Sequence, residues 1–519
     1  MLGKQSGQID IFNEMIFQRL IPKEHLLVKI DSIVDFSFVY DICKDLYSEV
    51  GRESTDPVVL VKMNLLEYLY TLSDREVETR TQTDIAFRWF LRLSLDDKVP
   101  DYTTISYFRA QRLGSKPFEK FFNAIVQQCI DNDLIGKKRY IVDSTDVAAN
   151  TNYPKEKRLV CDAYRRLIEK LGYINPPFAE AKLNDFESDI QKECDMQNEK
   201  DPSKKVSIKT YCSIAKKHAE EIYVKSYDDL KNNAKCYEVF STLWLIIEQY
   251  GENKTKQDRI ISFIDPDARV GNKTKGNLKR GYKDHIIIDE ESEIILASEQ
   301  TPFNEGDEIH LVDLVEKVQE NFDMKPEEVS ADTVYGTTGN RAYLKDNNII
   351  SNIRFRDLSK QEHKVFDIKM FDVAEDLKSV TCPNGCITTN VRKRESKKGI
   401  EKIIFKFSEH QCEHCILRDR CIDPKSKVRT LLLSTRYDAV TKDIHRNKTI
   451  EFEKASGKRY IVERRFSTLV VNNGLRRCRF LKIDGAKIHI TLANTACNIV
   501  RMVNLLWTGS QSNFVIAKS

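Results

Sequence analysis

Two short segments that resemble strands, each followed directly by an aspartate, constrain the fold of this chain most. Residues 139–142 run into Asp143, and residues 328–331 run into Asp332. Both segments have the length and composition of buried strands. A carboxylate just past such a strand is held by the sheet while it faces solvent, and sites in open α/β sheets form beyond the carboxyl ends of strands. We therefore expect a sheet with an acidic site at one edge.

The elements predicted around these two segments indicate the type of sheet. Residues 10–135 place apolar residues at helical spacing and contain little Gly or Pro, which predicts a helical region. Further strands are predicted at 260–264, 285–289, 293–297 and 349–353, and helices at 308–321, 461–473 and 486–506. This order of strands and helices matches a ribonuclease-H-like mixed sheet. The predicted fold class is α/β (α+β).

The length of 519 residues allows roughly three structural units, and changes in composition suggest where they divide. Residues 154–253 are rich in Lys, Glu, Asp and Asn and keep helical apolar spacing, which predicts a helical insertion with a solvated face. Residues 356–450 hold a cysteine cluster and are predicted to be irregular. The predicted division is 1–135 as a helical N-terminal domain, 136–153 and 254–355 as the first parts of the ribonuclease-H-like core, 154–253 and 356–450 as insertions, and 451–519 as the C-terminal helices of the core.

Three carboxylates are candidate metal ligands. Asp143 and Asp332 are predicted on neighbouring strands, and Glu463 is the single acidic residue within the basic segment 458–482. Mg²⁺ prefers oxygen ligands and keeps several waters, so three carboxylates can hold two ions. Two such ions stabilise the attacking and the leaving oxygen of a phosphoryl displacement.

Each of these carboxylates also has a simpler interpretation. An aspartate after a strand is often a turn former or a helix cap. Asp146 competes with Asp143, because position alone does not distinguish the two. Glu463 could form an ordinary salt bridge with Arg459 or Arg464.

The overall charge is nearly balanced, but the basic residues are clustered. The chain has 83 Lys and Arg against 79 Asp and Glu, for a formal net charge of +4. Residues 269–283 contain six basic residues and no acidic residue, and residues 458–482 contain eight basic residues and one acidic residue. Both segments flank the predicted acidic site, as a groove that follows a phosphate backbone would.

Five of the thirteen cysteines lie within forty residues, at Cys382, Cys386, Cys412, Cys415 and Cys421. An odd total without an export signal favours a reducing compartment over a disulfide framework. Cys382, Cys412, Cys415 and Cys421 could form a tetrahedral thiolate site, so structural Zn²⁺ is the favoured interpretation.

Other interpretations of the cysteine cluster remain open. They are free or redox-active thiols, an iron–sulfur cluster, and a zinc site that uses Cys386, His410 or His414 instead. No segment of the sequence is long and apolar enough to predict a membrane span, so we expect a soluble cytoplasmic protein.

At these residues the sequence resembles the bacterial insertion-sequence transposases of the DDE class. Residues 142–150 (VDSTDVAAN) resemble the first-aspartate motif and favour Asp143 over Asp146, and residues 330–340 (SADTVYGTTGN) resemble the second. The remaining similar segments are 86–93, 100–109, 265–269, 281–285, 462–479 (the glutamate motif) and 494–503. The motifs occur in the family's order over most of the chain. A comparable cysteine insertion before the glutamate occurs in one branch of these transposases.

The resemblance implies a function and a set of site residues. Asp143, Asp332 and Glu463 would bind two Mg²⁺ (or Mn²⁺) ions and catalyse cleavage and strand transfer of double-stranded DNA. The N-terminal domain would recognise the terminal inverted repeats, and the protein would act as a homodimer near the bacterial nucleoid, without a membrane partner. The residues implied in DNA binding are Arg459, Arg464, Lys279, Arg280, Arg88 and Arg109.

The sequence departs from the family pattern near the glutamate. Ser456 and Val470 stand where related transposases often have a Tyr and a DNA-contacting Lys, and Thr333-Val334 replaces Lys-Gly after the second aspartate. These departures motivate an alternative interpretation, a catalytically impaired or domesticated derivative that acts as a DNA-binding protein.

Overall fold

The computed structural model describes residues 1–4, 11–136, 138–201, 205–252, 258–274, 276–355, 366–374, 376–395, 401–423 and 426–516. The helices are α1 (Ile11–Leu20), α2 (Leu26–Ile33), α3 (Phe38–Cys43), α4 (Pro57–Leu69), α5 (Asp74–Thr83), α6 (Ile85–Phe90), α7 (Tyr102–Tyr107), α8 (Ser115–Asp131), α9 (Glu156–Gly172), α10 (Pro176–Lys200), α11 (Ile208–Lys225), α12 (Tyr227–Asn232), α13 (Ala234–Gly251), α14 (His310–Phe322), α15 (Thr338–Asp346), α16 (Glu409–Glu413), α17 (Arg418–Cys421), α18 (Tyr437–Arg446), α19 (Ile450–Gly457), α20 (Tyr460–Asn472) and α21 (Lys482–Ile516). The strands are β1 (Arg139–Ala148), β2 (Arg269–Thr274), β3 (Asn277–Asp289), β4 (Ile295–Pro302), β5 (Glu328–Ala331), β6 (Ile350–Ile353), β7 (Asp372–Val373), β8 (Val380–Thr381), β9 (Ile387–Thr388), β10 (Val391–Glu395), β11 (Glu401–Lys406) and β12 (Thr430–Ser434). None of the helices in these ranges is long and apolar enough to cross a membrane.

The N-terminal helices share one hydrophobic core with the sheet and the last helix. Asp56 caps α4 by accepting a hydrogen bond from the Val58 amide, and Ser73 forms a capping box with Glu76 at the start of α5. Helix α4 is buried on nearly every side, and α21 packs against both α4 and α8. The mostly helical region predicted for residues 10–135 is present.

The sheet is mixed, with strand order β2-β3-β1-β5-β6 and β4 beside β3. Strands β1, β3 and β4 pair antiparallel, whereas β1, β5 and β6 pair parallel. Helices and a mixed sheet together confirm the predicted α/β class. Strand β1 lies at the centre, between the antiparallel and the parallel halves.

Strand β1 is longer than the sequence predicted. The apolar run ends at residue 142, but β1 continues to Ala148 because its second half pairs with β3 from Gly281 to Ile286. Pairing with β5 ends at Val142 and Ala331. Asp143 therefore lies inside β1, at the point where the parallel partner ends.

The strand predicted at residues 260–264 was wrong. This segment has no strand partner, because side chains of α13 satisfy its backbone instead. The amide of Ile260 donates to Gln249 Oε1, and the Tyr250 hydroxyl donates to the Ile260 carbonyl oxygen. Residues that bond in this way leave few groups for a sheet ladder.

Residues 156–251 form the five helices α9–α13, which have a hydrophobic core of their own. Tyr164 and Phe186 stack at a centroid distance of 4.0 Å within that core. Tyr164, Leu167 and Leu171, which form part of the helical apolar spacing of this segment, are all buried.

Residues 366–446, which we call the cysteine module, are more regular than predicted. The described part holds two three-stranded sheets, β7-β8-β9 and β10-β11-β12, together with α16–α18. It has a third, separate hydrophobic core, which includes Phe405, Cys412 and Cys421. The prediction of an irregular region was wrong for these elements, because its strands are too short to show a clear period in the sequence.

Candidate active site

Asp143 and Asp332 lie at the same edge of the sheet, on neighbouring parallel strands. Val142 and Ala331 are paired in the register of β1 and β5, and each aspartate follows one of them. Asp332 caps a short turn, with Oδ1 accepting a hydrogen bond from the Thr333 amide at 2.6 Å. The capping interpretation and the ligand interpretation of Asp332 are thus compatible, because its second oxygen makes no hydrogen bond with a described residue.

Glu463 faces this pair from the first turn of α20, and Arg459 joins it to Asp143. The Arg459 guanidinium donates to Asp143 Oδ2 at 3.0 Å and to Glu463 Oε1 at 3.2 Å. The salt bridge that the sequence left open for Glu463 is therefore present. It does not separate Glu463 from the aspartates, since the same guanidinium bridges both carboxylates.

The electrostatics of Asp143 show that the three acids are neighbours. The pKa of Asp143 is raised to about 6, mainly by burial. The Ser144 amide and Arg459 lower this pKa, and the charges of Asp332 and Glu463 raise it. Carboxylates that raise one another's pKa favour a bound cation. In this structure the only cation that contacts two of the three, among the described residues, is the Arg459 guanidinium.

The donor chemistry of this cluster suits a hard divalent cation, because all three ligands would be carboxylate oxygens. Among the described residues, however, no three His, Cys, Asp or Glu side chains are arranged closely enough to hold a metal ion as they stand. Binding would require Arg459 to release the two carboxylates. Glu463 is largely exposed and on a long side chain, so it can move without disturbing the core.

Tyr335, which is not among the residues predicted from the sequence, lies close to this cluster. Its side chain is buried, and the Tyr335 hydroxyl has no hydrogen-bond partner among the described residues. Burial raises the pKa of Tyr335, as do the nearby charges of Asp307 and Asp143. The signal in the sequence was the position of this tyrosine three residues after Asp332, within the second-aspartate motif.

The competing residue Asp146 is occupied elsewhere. Its carboxylate forms ion pairs with Arg476 at 2.8 Å and with Lys279 at 3.3 Å. Lys279, which the resemblance implied in DNA binding, is thus paired in this structure. Arg280 is exposed, and its guanidinium lies over the ring of Tyr153 at 5.1 Å.

Arg464 is tied to Glu293, a buried residue in the turn between β3 and β4. Arg465 and Arg501 bind the same carboxylate, at 2.5 Å and 3.3 Å. These contacts attach α20, and with it Glu463, to the sheet. Glu293 could not be found from the sequence because its partners lie 171 to 208 residues further along the chain.

Arg88 and Arg109 are inside the protein. Arg88 donates to the carbonyl oxygens of Ser94 and Asp97, at 2.6 Å and 3.1 Å. Arg109 is 3% exposed and binds Glu67 and Asp74. Neither guanidinium is presented to a ligand, so we leave both out of the proposed DNA surface.

The five clustered cysteines lie near one another in the cysteine module and form no disulfide. Burial raises the pKa of Cys386, and its neighbours Cys382, Cys415 and Cys412 raise it further. Burial likewise raises the pKa of Cys421, with Arg429 lowering it and the other thiols raising it. Thiols are donors suited to a soft cation, but among the described residues no three of them are close enough to hold a metal ion as they stand.

Two models of known protein families match parts of this chain. A family model described as a transposase domain (DUF772) matches residues 15–111, and one described as a transposase DDE domain matches residues 381–503. The two matches support a DDE-class insertion-sequence transposase. No solved structure matches it. In this transposase the DDE match includes Glu463 and most of the cysteine module, whereas Asp143 and Asp332 lie before it.

The two domain matches support three coarse statements about the protein. DNA is its partner, its chemistry depends on a divalent metal, and its mixed sheet corresponds to a ribonuclease-H-like arrangement.

Proposed function

We propose that the protein is a DNA transposase that binds the terminal inverted repeats of an insertion sequence and catalyses strand cleavage and strand transfer. The observation that carries the proposal is the placement of Asp143 and Asp332 at one sheet edge, with Glu463 linked to Asp143 through Arg459. A homodimer on double-stranded DNA follows from the need to pair two ends.

Asp143, Asp332 and Glu463 would hold two divalent ions, Mg²⁺ or Mn²⁺. The ions would supply stabilisation of the attacking and leaving oxygens during in-line displacement at a phosphodiester. The sheet holds the two aspartates in place, and α20 positions the glutamate. Arg459, once released from the carboxylates, is placed to bind a phosphate at the same site, with Arg464, Lys279 and Arg280 nearby in sequence or on the adjoining hairpin.

The test replaces Asp143 by alanine in the full-length protein. We expect D143A to lose Mg²⁺-dependent nicking of linear DNA that carries the element's ends, while binding to those ends persists. Glu451→Gln is the matched control, because Glu451 is an exposed acid on α19, close to Glu463 in sequence. Cleavage by D143A at the wild-type rate would contradict the proposal.

A second candidate function is that of an impaired derivative that binds DNA without cutting it. Val470 favours it, because a half-buried valine cannot make the phosphate contact of a lysine. The same assay separates the two candidates: wild-type protein that binds the ends but produces no Mg²⁺- or Mn²⁺-dependent nick is the derivative.

For the cysteine module we propose a structural Zn²⁺ held by Cys382, Cys412, Cys415 and Cys421. The support is the mutual proximity of these thiols beside a small hydrophobic core. Metal binding free energy becomes folding free energy in such core-poor regions.

A further inference from the structure

The β10-β11-β12 sheet of the cysteine module has two chemically different faces. Ile403 and Phe405 of β11 and Leu431 and Leu433 of β12 are all buried. They occupy alternate positions and pack into the core of the module. The residues between them must point to the opposite side of the sheet.

That opposite side carries four cations, which we call the basic face: Arg392, Arg394, Lys402 and Lys406. The strand register places them on one side, because Arg394 is paired with Lys402 and Arg392 with Ile404. Arg392, Arg394 and Lys406 are exposed, and Lys402 is half-buried. Among the described side chains, none of the four forms an ion pair with a carboxylate.

The arrangement is unfavourable for the protein alone. Arg394 and Lys402 stand directly opposite each other, and like charges in that position destabilise an antiparallel pair. Cations on an edge strand often serve only to prevent aggregation. That explanation covers β10 but not β11, which is the central strand of this sheet. A bound polyanion would remove the repulsion on both strands.

We propose that the basic face binds the backbone phosphates of duplex DNA, independently of base sequence. Charge complementarity carries this proposal: four cations, none of them paired with a described carboxylate, lie on one side of a sheet in a protein whose family partner is DNA. It rests on the proposed function only in taking DNA as the partner, and it adds a contact outside both the catalytic cluster and the N-terminal helices. Arginine and lysine side chains on a sheet reach phosphates without entering a groove, so no preference among sequences is expected.

The test neutralises the basic face in the full-length protein with R392Q, R394Q, K402Q and K406Q together. Binding to a fluorescent duplex that lacks the element's ends is measured over a range of salt concentrations. Each phosphate contact contributes about 0.9 to the slope of log K against log salt. We expect the slope to fall by about 2 or more and binding at moderate salt to weaken at least tenfold.

Two further variants make the result specific. The charge-retaining variant R392K/R394K should keep the wild-type slope. The matched control K200Q/K205Q/K209Q/K225Q removes the same charge from exposed lysines of the helical insertion and should also keep it. An equal loss of slope in this control would overturn the proposal, because net charge would then be the cause. If the fourfold variant does not fold, the separate pairs R392Q/R394Q and K402Q/K406Q should each show about half of the effect.

Failure of this proposal differs from failure of the proposed function. Wild-type protein that cleaves end-bearing DNA, with an unchanged slope in the fourfold variant, refutes the basic face alone. A reduced slope without any cleavage by the wild type supports the basic face and refutes the proposed activity. A fourfold variant that becomes monomeric where the wild type sediments as a dimer, with its slope unchanged, would assign the face to a second copy of this chain and overturn the DNA contact.

Discussion

Replacing Arg109 by alanine should separate a structural role from a DNA contact. Its guanidinium donates to Asn64 Oδ1 at 2.8 Å, to Glu67 Oε1 at 3.2 Å and to Asp74 Oδ2 at 2.6 Å, and it lies over the ring of Phe480 at 4.3 Å. The variant R109A removes all of these contacts at once. The resemblance implied that this arginine binds DNA, whereas the structure gives it a role in joining α4 and α5 to the segment after α20.

The magnitude follows from the burial of the pair. The side chain of Glu67 is 0% exposed and that of Arg109 is 4% exposed. Breaking a buried ion pair by removing one partner costs about 3–5 kcal/mol, because the remaining charge has no compensation. Arg479 lies 3.6 Å from Glu67 and offsets part of that cost, which places the expected value near the lower end.

Hydrogen exchange of the α4 and α5 amides measures this loss locally. At about 1.4 kcal/mol per factor of ten, exchange in R109A should be faster by about two orders of magnitude or more. The salt slope of DNA binding should stay unchanged, since the guanidinium does not reach the surface. The double variant R109A/E67Q should recover much of the protection, because removing both partners costs less than removing one. Wild-type protection in R109A together with a slope reduced by about 0.9 would refute this reasoning.

Two further predictions concern a buried acid and the cysteine module. Burial raises the pKa of Asp284 from 3.8 to about 7, so the folded state binds a proton that the unfolded state releases, and the free energy of unfolding should fall by about 4 kcal/mol as pH rises from about 4 to 7. Urea unfolding of D284N should show a weaker dependence of stability on pH, whereas the exposed control D313N should keep the wild-type dependence. A wild-type pH dependence in D284N would contradict the assignment. Purified protein should contain one Zn²⁺ per chain. The variant C412S/C415S should lose this ion, and hydrogen exchange of its β10–β12 amides should be faster. Wild-type protein that is prepared without chelator and contains no zinc would exclude the zinc site.

Sequence reasoning located the acidic cluster because the signal is local. An apolar strand followed by an acid, found twice, reports both a buried element and its end, and Asp143 and Asp332 accordingly lie side by side. The helices of residues 156–251 could be predicted equally well, since amphipathic spacing over many residues is a strong signal. The end of β1 could not be predicted, because the second half of this strand is stabilised by pairing with β3 and not by its own composition.

Side-chain pairing could not be anticipated, because the partners are far apart in the chain. Arg109 meets residues 35 to 45 positions earlier, and Arg464 meets Glu293 across 171 positions. The cysteine module shows the same limit in its backbone. Its sheets join strands of two to six residues, and such strands become ordered through a shared core and not through local preference.

The free-energy cost of breaking its existing ion pair determines whether a basic side chain can bind DNA. A phosphate must compete with the carboxylate that already holds the side chain, and that competition costs little where the pair is exposed, about 0–1 kcal/mol. Arg464 is more than half exposed. When it leaves Glu293, that carboxylate is still bound by Arg465 and Arg501, so Arg464 can bind a DNA phosphate at low cost. Arg109 cannot bind DNA at a similarly low cost, because the buried Glu67 carboxylate would lose its partner. Basic residues in the sequence are therefore a poor measure of the DNA surface. We expect that surface to be assembled from exposed cations, and the basic face to contribute cations that no described carboxylate pairs with.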